Sequence, residues 1–245
     1  MIAFTSISPT HRNGDMQQQA IKSWISAGLK VYAFQTPKEC EAMASDYPEV
    51  TFVPTVRTMH RLFKAPYVSI NAMIDYAKEH NLEAVMLINS DIIFGGSVDR
   101  LKYLFSNCHK AIVIMKRLDF DTDMSQAKRY DGGMDAFIVH STFYDIYPQS
   151  IYCMGQTWWD YWMQYIPYMA GKFVYHELSP MIYHKVHPVQ YNQAEWERMT
   201  RYFQWENNYD LGERNKQTSV QKAGQVTSRI YDILQRAYHD SKNIL

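Results

Sequence analysis

The sequence predicts an α/β protein in which helices flank a largely parallel central sheet. Short apolar runs alternate with helical patterns through the first 95 residues, and this alternation is typical of βαβ units. With 245 residues, the chain is long enough for one large domain or for one domain with an elaborated C-terminal part. Hydrophobic residues make up 47% of the sequence, which is sufficient for a full core.

The first half of the chain divides into alternating elements. Apolar runs predict strands at residues 2–7, 31–34, 50–53, 84–88 and 111–115. Helical periodicity predicts helices at residues 15–27, 37–46, 65–79 and 97–106. Asp15 is the expected N-cap of the first helix, and Gly28 is the residue expected to end it.

The pattern loosens in the second half of the chain. Residues 119–129 are polar and predict a loop that could act as a lid. Further elements are expected at residues 135–140 (strand), 158–168 (helix), 173–184 (two strands joined by Ser179-Pro180), 193–205 and 219–238 (helices). We expect a core at residues 1–190 and a helical extension at residues 191–245 packed on it. The last helix could cap the core or form a homodimer contact.

Charge and cysteine content do not indicate a nucleic-acid-binding, disulfide-rich or zinc-binding protein. The 25 basic and 25 acidic residues cancel, so composition does not demand a broad surface for nucleic acid. Cys40, Cys108 and Cys153 lie far apart, which favours neither a disulfide framework nor a zinc site. The N-terminus does not look like a secretion signal, and no apolar run reaches the length of a membrane span. We therefore expect a cytoplasmic protein without a membrane span.

A cluster of polar residues follows the buried strand predicted at residues 84–88. Asn89, Ser90 and Asp91 come directly after this strand, at the edge where open α/β sheets bind ligands. A carboxylate in this position can hold a divalent cation against a phosphate. Ser90 and Asp91 could instead cap a helix, but residues 92–96 do not resemble a first helical turn. The pattern favours a sugar-nucleotide enzyme.

Three later segments accompany this strand end. They are Gly133-Met134-Asp135-Ala136-Phe137, Trp158-Trp159-Asp160-Tyr161-Trp162 and the pair His184 and His187. Together with Ile88-Asn89-Ser90-Asp91-Ile92, and in this order, they resemble small bacterial and phage-type glycosyltransferases of the nucleotide-diphospho-sugar transferase superfamily. The resemblance covers roughly residues 1–190. It implies the GT-A fold: a Rossmann-like, mixed and mostly parallel sheet flanked by helices, here with C-terminal helices.

The resemblance also implies a reaction and a metal. Such enzymes move a sugar from a nucleoside diphosphate donor, a UDP-sugar in the leading case, to an acceptor hydroxyl. Their Asp-X-Asp motif reads Asn89-Ser90-Asp91 here, so only the last acidic position matches. Asp91 and a late histidine would bind Mn²⁺ or Mg²⁺. Because residues three apart on a strand face opposite ways, only one of His184 and His187 is expected to be a ligand.

Two carboxylates are the candidate catalytic residues. Asp160 matches the general base of inverting enzymes of this fold, with Trp159 and its neighbouring indoles as a sugar platform. Alternatively, Thr157 caps the helix and Asp160 completes a capping box. Asp135 opens an apolar strand, where a charge is costly unless it is paired or functional, and it could contact a sugar hydroxyl.

The remaining candidates would bind the donor. The loop after the first strand, with Ser6, Ser8 and Arg12, would surround the base and ribose, unless it is a plain connection. The start of the helix at residues 65–79 could hydrogen-bond or stack on the nucleotide. The donor-binding set is Ser6, Ser8, Arg12, Tyr67, Ser69, Asn71, Asn89, Ser90, Asp91, Gly133 and Trp159.

The acceptor and the rival functions stay open at this stage. A saccharide and hydroxymethylated phage DNA are both candidate acceptors. The basic cluster of Arg57, His60, Arg61 and Lys64 could bind the diphosphate or a phosphorylated acceptor, or could be a solvated face. A sugar-1-phosphate nucleotidyltransferase would want a glycine-rich loop, which residues 8–14 do not provide. A non-catalytic sugar-nucleotide or glycan-binding protein is the rival from another class.

Overall fold

The computed structural model describes residues 1–9, 14–187 and 193–206. Eight strands form one sheet: β1 (Ile2–Thr5), β2 (Lys30–Gln35), β3 (Thr51–Pro54), β4 (Ala84–Ile88), β5 (Ile92–Phe94), β6 (Ile112–Phe120), β7 (Lys128–His140) and β8 (Val174–Lys185). The helices are α1 (Gly14–Ser26), α2 (Pro37–Met43), α3 (His60–Phe63), α4 (Ile70–Glu79), α5 (Val98–Asn107), α6 (Trp159–Met169) and α7 (Gln193–Glu206). Short 3₁₀ turns lie at Met124–Gln126 and Ser141–Ile146.

The sheet is mixed and mostly parallel, as the sequence predicts. Its strand order is β3-β2-β1-β4-β7-β6-β8-β5. Four of the seven neighbouring pairs are parallel, and only the pairs that involve β5 or β7 are antiparallel. The C-terminal ends of β1, β4, β6 and β8 therefore meet at one edge, where β5 and β7 begin.

The two faces of the sheet are covered by different helices. Alternate residues of β4 face opposite sides: Val85 and Leu87 join a core with α4, α6 and α7, while Met86 and Ile88 join a core with α1 and α5. Both faces are apolar, which explains why the strands read as continuous hydrophobic runs. No helix within the described ranges is long and apolar enough to cross a membrane.

Two predicted helix starts are wrong. Helix α4 begins at Ile70 and not at residue 65, because residues 66 and 67 are not helical and Val68 and Ser69 form bridges to Thr58 and Cys153. Helix α1 already includes Gly14, so Asp15 lies in its first turn and is not its N-cap. The acidic side chain still interacts favourably with the helix dipole at this position.

Only the middle of the polar segment at residues 119–129 is a loop, because strands include both of its ends. Strand β6 continues to Phe120 and β7 starts at Lys128, so that Asp119 pairs with Lys128 across an antiparallel ladder. The predicted break at Ser179-Pro180 is also absent, since β8 is one strand. Its register with β6 shifts between the pairs Met115–Glu177 and Arg117–Ile182, and this bulge accommodates the proline.

The helical extension is described only in part. Met199 and Phe203 of α7 are buried in the core on the α4 and α6 side of the sheet. The helix predicted at residues 219–238, with its cap or dimer contact, lies outside the described residues.

Candidate active site

Strand register brings a carboxylate and two histidines together at the C-terminal edge of the sheet. His184, near the end of β8, has Ile92 of β5 as its partner on one side and Asp119 of β6 on the other. Asp91 immediately precedes Ile92, so it reaches His184 from the β5 side. The two ends of the predicted motif set, 93 residues apart in sequence, are thus neighbours in the sheet.

Asp91, His184 and His187 form a compact group of metal-ligating atoms. One donor atom from each residue lies within 4.8 Å of the others. Asp91 Oδ2 is 3.4 Å from His187 Nε2 and 3.7 Å from His184 Nε2, and the two Nε2 atoms are 3.3 Å apart. One carboxylate and two imidazoles form a donor set that suits a divalent transition metal.

Both histidines reach this group, contrary to the expectation that only one would. Strand β8 ends at Lys185, so His187 lies beyond the strand and does not follow its alternation. The backbone N–H of Val186 still donates to the carbonyl of Phe120 at 2.8 Å, which holds the chain beside β6. The alternation of side chains along a strand therefore does not apply to His187, which lies two residues beyond the end of β8.

Asp119 lies behind His184 and orients its ring. Asp119 Oδ1 is 3.4 Å from His184 Nδ1, on the side of the imidazole away from Asp91. Burial opposes the charge of Asp119, but its hydrogen bond with His184 and the charge of Arg117 outweigh burial, so the pKa of this carboxyl lies below its ordinary value. A carboxylate on the second nitrogen of a histidine is a common support for metal ligands.

Arg117 joins this support to Asp135. Its Nε lies 2.8 Å from Asp119 Oδ1, and its Nη1 donates to Asp135 Oδ2 at 2.8 Å. The second oxygen of Asp135 accepts from Asn89 Nδ2 at 2.7 Å. Asp135 therefore lies in the site, but both of its oxygens already accept hydrogen bonds from protein side chains.

Sequence reasoning missed Arg117 and Asp119 because it ended the strand at residue 115 and placed residues 119–129 in a loop. A signal was present: Arg117 and Asp119 alternate with Leu118 soon after the apolar run that ends at Met115, which is typical of one polar face continuing along a strand. Gln17 was also missed. Its side chain pairs with both the backbone N–H and the carbonyl of Ser8 at 2.9 Å and accepts from Ser90 Oγ at 2.8 Å.

Asp160 lies in the first turn of α6, and its pKa departs from the ordinary value of an aspartate. Burial, and secondly the charge of Asp135, raises its pKa to about 7, against partial relief from backbone N–H groups and from Arg117. A carboxyl group with this pKa can take up and release a proton near neutrality. Its side chain keeps partial contact with solvent.

The start of α6 differs from the predicted capping box. Trp158, and not Thr157, is the N-cap, with a left-handed backbone (φ 76°). The hydroxyl of Thr157 has no hydrogen-bond partner among the described residues. The structural alternative for Asp160 is therefore wrong.

The indoles around Asp160 do not form a sugar platform. Trp158, Trp159 and Trp162 are buried, and Trp159 packs edge-on against Phe137 with ring centroids 5.3 Å apart. They belong to the apolar core under the site.

The remaining predicted donor residues divide into two groups. Ser8 and Ser90 meet through Gln17, and Ser6 Oγ donates to Gln35 Oε1 at 2.7 Å, so the loop after β1 lies beside the end of β4. Arg12 lies outside the described residues, and Gly133 lies in β7. Ser6, Ser8 and Ser90 are thus brought to the site edge.

The segment around α4 anchors other loops. Ser69 and Asn71 are buried, and the amide of Asn71 donates to the carbonyl of Pro148 and accepts from the N–H of Ser150, both at 2.9 Å. Tyr67 is partly buried, edge-on to Phe63. The geometry therefore gives Ser69 and Asn71 a structural role.

The basic cluster before α4 is partly neutralised. Arg57 forms an ion pair with Asp75 at 2.6 Å and a hydrogen bond with Gln149 at 2.9 Å. The expected helical spacing of the cluster is also absent, because α3 contains only His60–Phe63. This arrangement does not support a phosphate site there.

Comparison with known proteins identifies the fold. No protein-family model and no curated protein matches the chain. The chain is similar to the mannosyltransferase PcManGT from Pyrobaculum calidifontis, in complex with GDP-Man and Mn²⁺, with 11% identity, a TM-score of 0.53, and coverage of 96% of this chain and 73% of that one. It is also similar to S. aureus TarS, with 11% identity, a TM-score of 0.52, and coverage of 98% of this chain and 44% of that one. This chain has the GT-A fold found in nucleotide-sugar glycosyltransferases.

Proposed function

We propose that this protein transfers a sugar from a nucleoside diphosphate donor to an acceptor hydroxyl. The observation that carries the proposal is the group formed by Asp91, His184 and His187. Asp160 lies near enough to Asp135 and Arg117 for their charges to act on its pKa. The fold supports the same class of donor, because a protein of similar fold binds GDP-Man with Mn²⁺. A UDP-sugar remains our first choice of donor.

Asp91, His184 and His187 would hold a divalent ion. Mg²⁺ prefers oxygen ligands, so two imidazole nitrogens favour Mn²⁺. When bound, such an ion stabilises the negative charge that develops on a leaving diphosphate. Asp119 keeps the His184 ring turned toward Asp91, so the ligands are oriented before the ion arrives.

Asp160 is the proposed general base. It would accept the proton of the acceptor hydroxyl while that oxygen forms a bond to the anomeric carbon. The bond from this carbon to the diphosphate oxygen breaks, and its electron pair leaves with the diphosphate. A single displacement of this kind inverts the configuration of the sugar. Asp119 and Asp135 are unsuitable as bases, because Arg117 pairs with both.

The donor would lie across the end of β4 and the loop after β1. Ser6, Ser8 and Ser90 line this part of the edge, and Gln17 fixes Ser8 to Ser90. A saccharide is the proposed acceptor, with hydroxymethylated DNA as the alternative.

The first experiment is a donor panel. The protein is incubated with UDP-, GDP- and dTDP-sugars with and without Mn²⁺, and free nucleoside diphosphate is measured. We expect metal-dependent release from at least one donor, and a loss of about 10²-fold or more in Asp160→Asn. Asp99→Asn is the matched control: it also changes an aspartate in the first turn of a helix, but one that is 95% exposed.

Two outcomes would contradict the proposal. Tight binding of nucleotide sugars without cleavage would indicate a binding protein. Release of pyrophosphate from a nucleoside triphosphate and a sugar 1-phosphate would indicate a nucleotidyltransferase.

A further inference from the structure

One exposed aromatic ring adjoins the charged network of the site. Four aromatic residues are well exposed in the part of the chain that the structure describes: Tyr103, Tyr130, Phe173 and Trp205. Of these, Tyr130 contacts Arg117, whose guanidinium carbon lies 4.6 Å from the ring centroid. The indoles of α6 are buried, whereas Tyr130 is a well-exposed aromatic side chain beside this network.

A bulge in β7 places Tyr130 over Arg117. Lys116 pairs with Met134 and Leu118 pairs with Arg129, so the single residue Arg117 lies opposite the four residues 130–133. Such a β-bulge changes the direction of the side chains at its ends. Arg129, just before the bulge, donates to the carbonyl of Leu178 at 2.8 Å and anchors that end to β8.

The ring is held without being covered. Arg117 is fixed by its pairs with Asp119 and Asp135, so one face of the ring rests on an immobile cation. Tyr130 nevertheless remains 46% exposed. An ordered aromatic ring that keeps its surface free loses little entropy when a ligand stacks on it.

We propose that Tyr130 forms the aromatic floor of an acceptor subsite that binds the ring of a neutral saccharide. This inference rests on the proposed function and names the class of its acceptor. The apolar face of a sugar ring suits an aromatic surface, and its hydroxyls suit nearby polar groups. Tyr130 is placed beside the network that contains Asp135, whose charge also acts on Asp160.

The charge of the surrounding hairpin favours a saccharide over DNA. Residues 119–130 contain three carboxylates and two cations, so this surface has no positive excess. Arg117 and Arg129 already bind protein groups. A DNA acceptor would need a surface that neutralises phosphates.

The test measures the KM of the acceptor in Tyr130→Ala, Tyr130→Phe and Tyr103→Ala. Probes are methyl glycosides of glucose, galactose, mannose and N-acetylglucosamine, and a duplex with hydroxymethylcytosine, each with the best donor. Tyr103→Ala is a matched control, because Tyr103 is 44% exposed and has Arg100 at 5.0 Å from its ring centroid, but lies on α5. The melting temperature of each variant is measured alongside.

We expect Tyr130→Ala to raise the acceptor KM about tenfold, with a much smaller change in the donor KM. Tyr130→Phe and Tyr103→Ala should stay within about twofold of the wild type. The inference would be overturned by an unchanged acceptor KM in Tyr130→Ala, or by an increase of the acceptor KM in Tyr130→Phe as large as that in Tyr130→Ala. Transfer to the DNA alone, or to none of the glycosides, would overturn it as well. If the wild-type protein cleaves no donor at all, the proposed function fails together with this inference. That result differs from the failures above, in which the donor is still cleaved.

Discussion

Asn89 and Asp135 are joined twice: the Asn89 side-chain nitrogen donates to Asp135 Oδ1 at 2.7 Å, and its backbone N–H donates to the Asp135 carbonyl at 3.1 Å. This pair explains why the strand end reads Asn-Ser-Asp. An aspartate at position 89 would place a second carboxylate against Asp135, with no donor between them. The side chains beside Asp91 are instead those of His184 and His187.

Asn89→Asp should therefore destabilise the protein. We expect a loss of about 2–4 kcal/mol in the free energy of unfolding at pH 7.5, measured by urea denaturation. The loss should shrink toward pH 5, because two adjacent carboxylates share a proton more readily as the pH falls. Asn107→Asp is the control, since the Asn107 amide donates to the carbonyl of Tyr103 in a hydrogen bond that is exposed to solvent. Equal stability, or tighter Mn²⁺ binding, would argue against this explanation.

The pH dependence of transfer should report Asp160. Its pKa of about 7 means that the carboxylate needed as a base is lost below neutrality. We expect kcat/KM to rise about tenfold per pH unit below that value and to level off above it. Asp160→Asn should lower the rate by about 10²–10⁴-fold and remove this limb. A pH-independent wild-type rate between pH 5 and 8 would rule out Asp160 as the base.

Because the pKa of Asp160 is raised in the folded protein, this residue should lower the free energy of unfolding at neutral and alkaline pH. The folded protein holds the proton more tightly than the unfolded chain, so stability falls as the pH rises from about 4 to about 7. Asp160→Asn should then stabilise the fold by about 1–3 kcal/mol at pH 8, and by almost nothing at pH 4. Denaturant titrations at pH 8, 6 and 4 measure this. Destabilisation at pH 8 would contradict the assigned burial.

Metal binding should depend on all three members of the cluster. Mn²⁺ should raise the melting temperature of the wild type, because an ion that binds only the folded state stabilises it. Asp91→Asn, His184→Ala and His187→Ala should each lower the affinity by 10-fold or more, and Asp119→Asn by about 10–100-fold through the orientation of His184. His80→Ala, which removes an exposed histidine stacked on Tyr76, is the control. Calorimetric titration at pH 7.5 measures each affinity.

Arg117→Met should leave Asp119 and Asp135 without their shared cation. We expect a loss of about 3–5 kcal/mol in stability, since both carboxylates are largely buried. The acid limb of the rate should also move to higher pH, because the charge of Arg117 lowers the pKa of Asp160. Arg117→Lys keeps the charge but not the fork that reaches both carboxylates, so it should recover the pH profile better than the stability. A pH profile that moves to lower pH in Arg117→Met would contradict the network.

The sequence predicts much of this fold because its signals are local. The strand at Ala84–Ile88 has the predicted bounds, and most other elements end within a few residues of their predicted limits. The polar strand end, Asp160 and the histidines are visible in the same way. Each follows or opens an apolar run. A polar residue at such a position can be recognised as a candidate from its sequence neighbours alone, without knowing which distant residues it contacts.

The parts that sequence reasoning missed depend on pairing between distant strands. Arg117 and Asp119 belong to the site only because β6 lies between β7 and β8, a neighbourhood that no local pattern encodes. The burial of Trp159 depends in the same way on Phe137 of β7. The position of His187 near Asp91 depends on where β8 ends. There the backbone N–H of Val186 donates to the carbonyl of Phe120 in β6.

Diffraction from crystals grown with Mn²⁺ and a nucleoside diphosphate tests the central claim most directly. Anomalous scattering should place one Mn²⁺ in direct contact with Asp91, His184 and His187 and with oxygens of the diphosphate. Manganese bound elsewhere, or a nucleotide bound at this edge without contact between the ion and Asp91, would contradict the account.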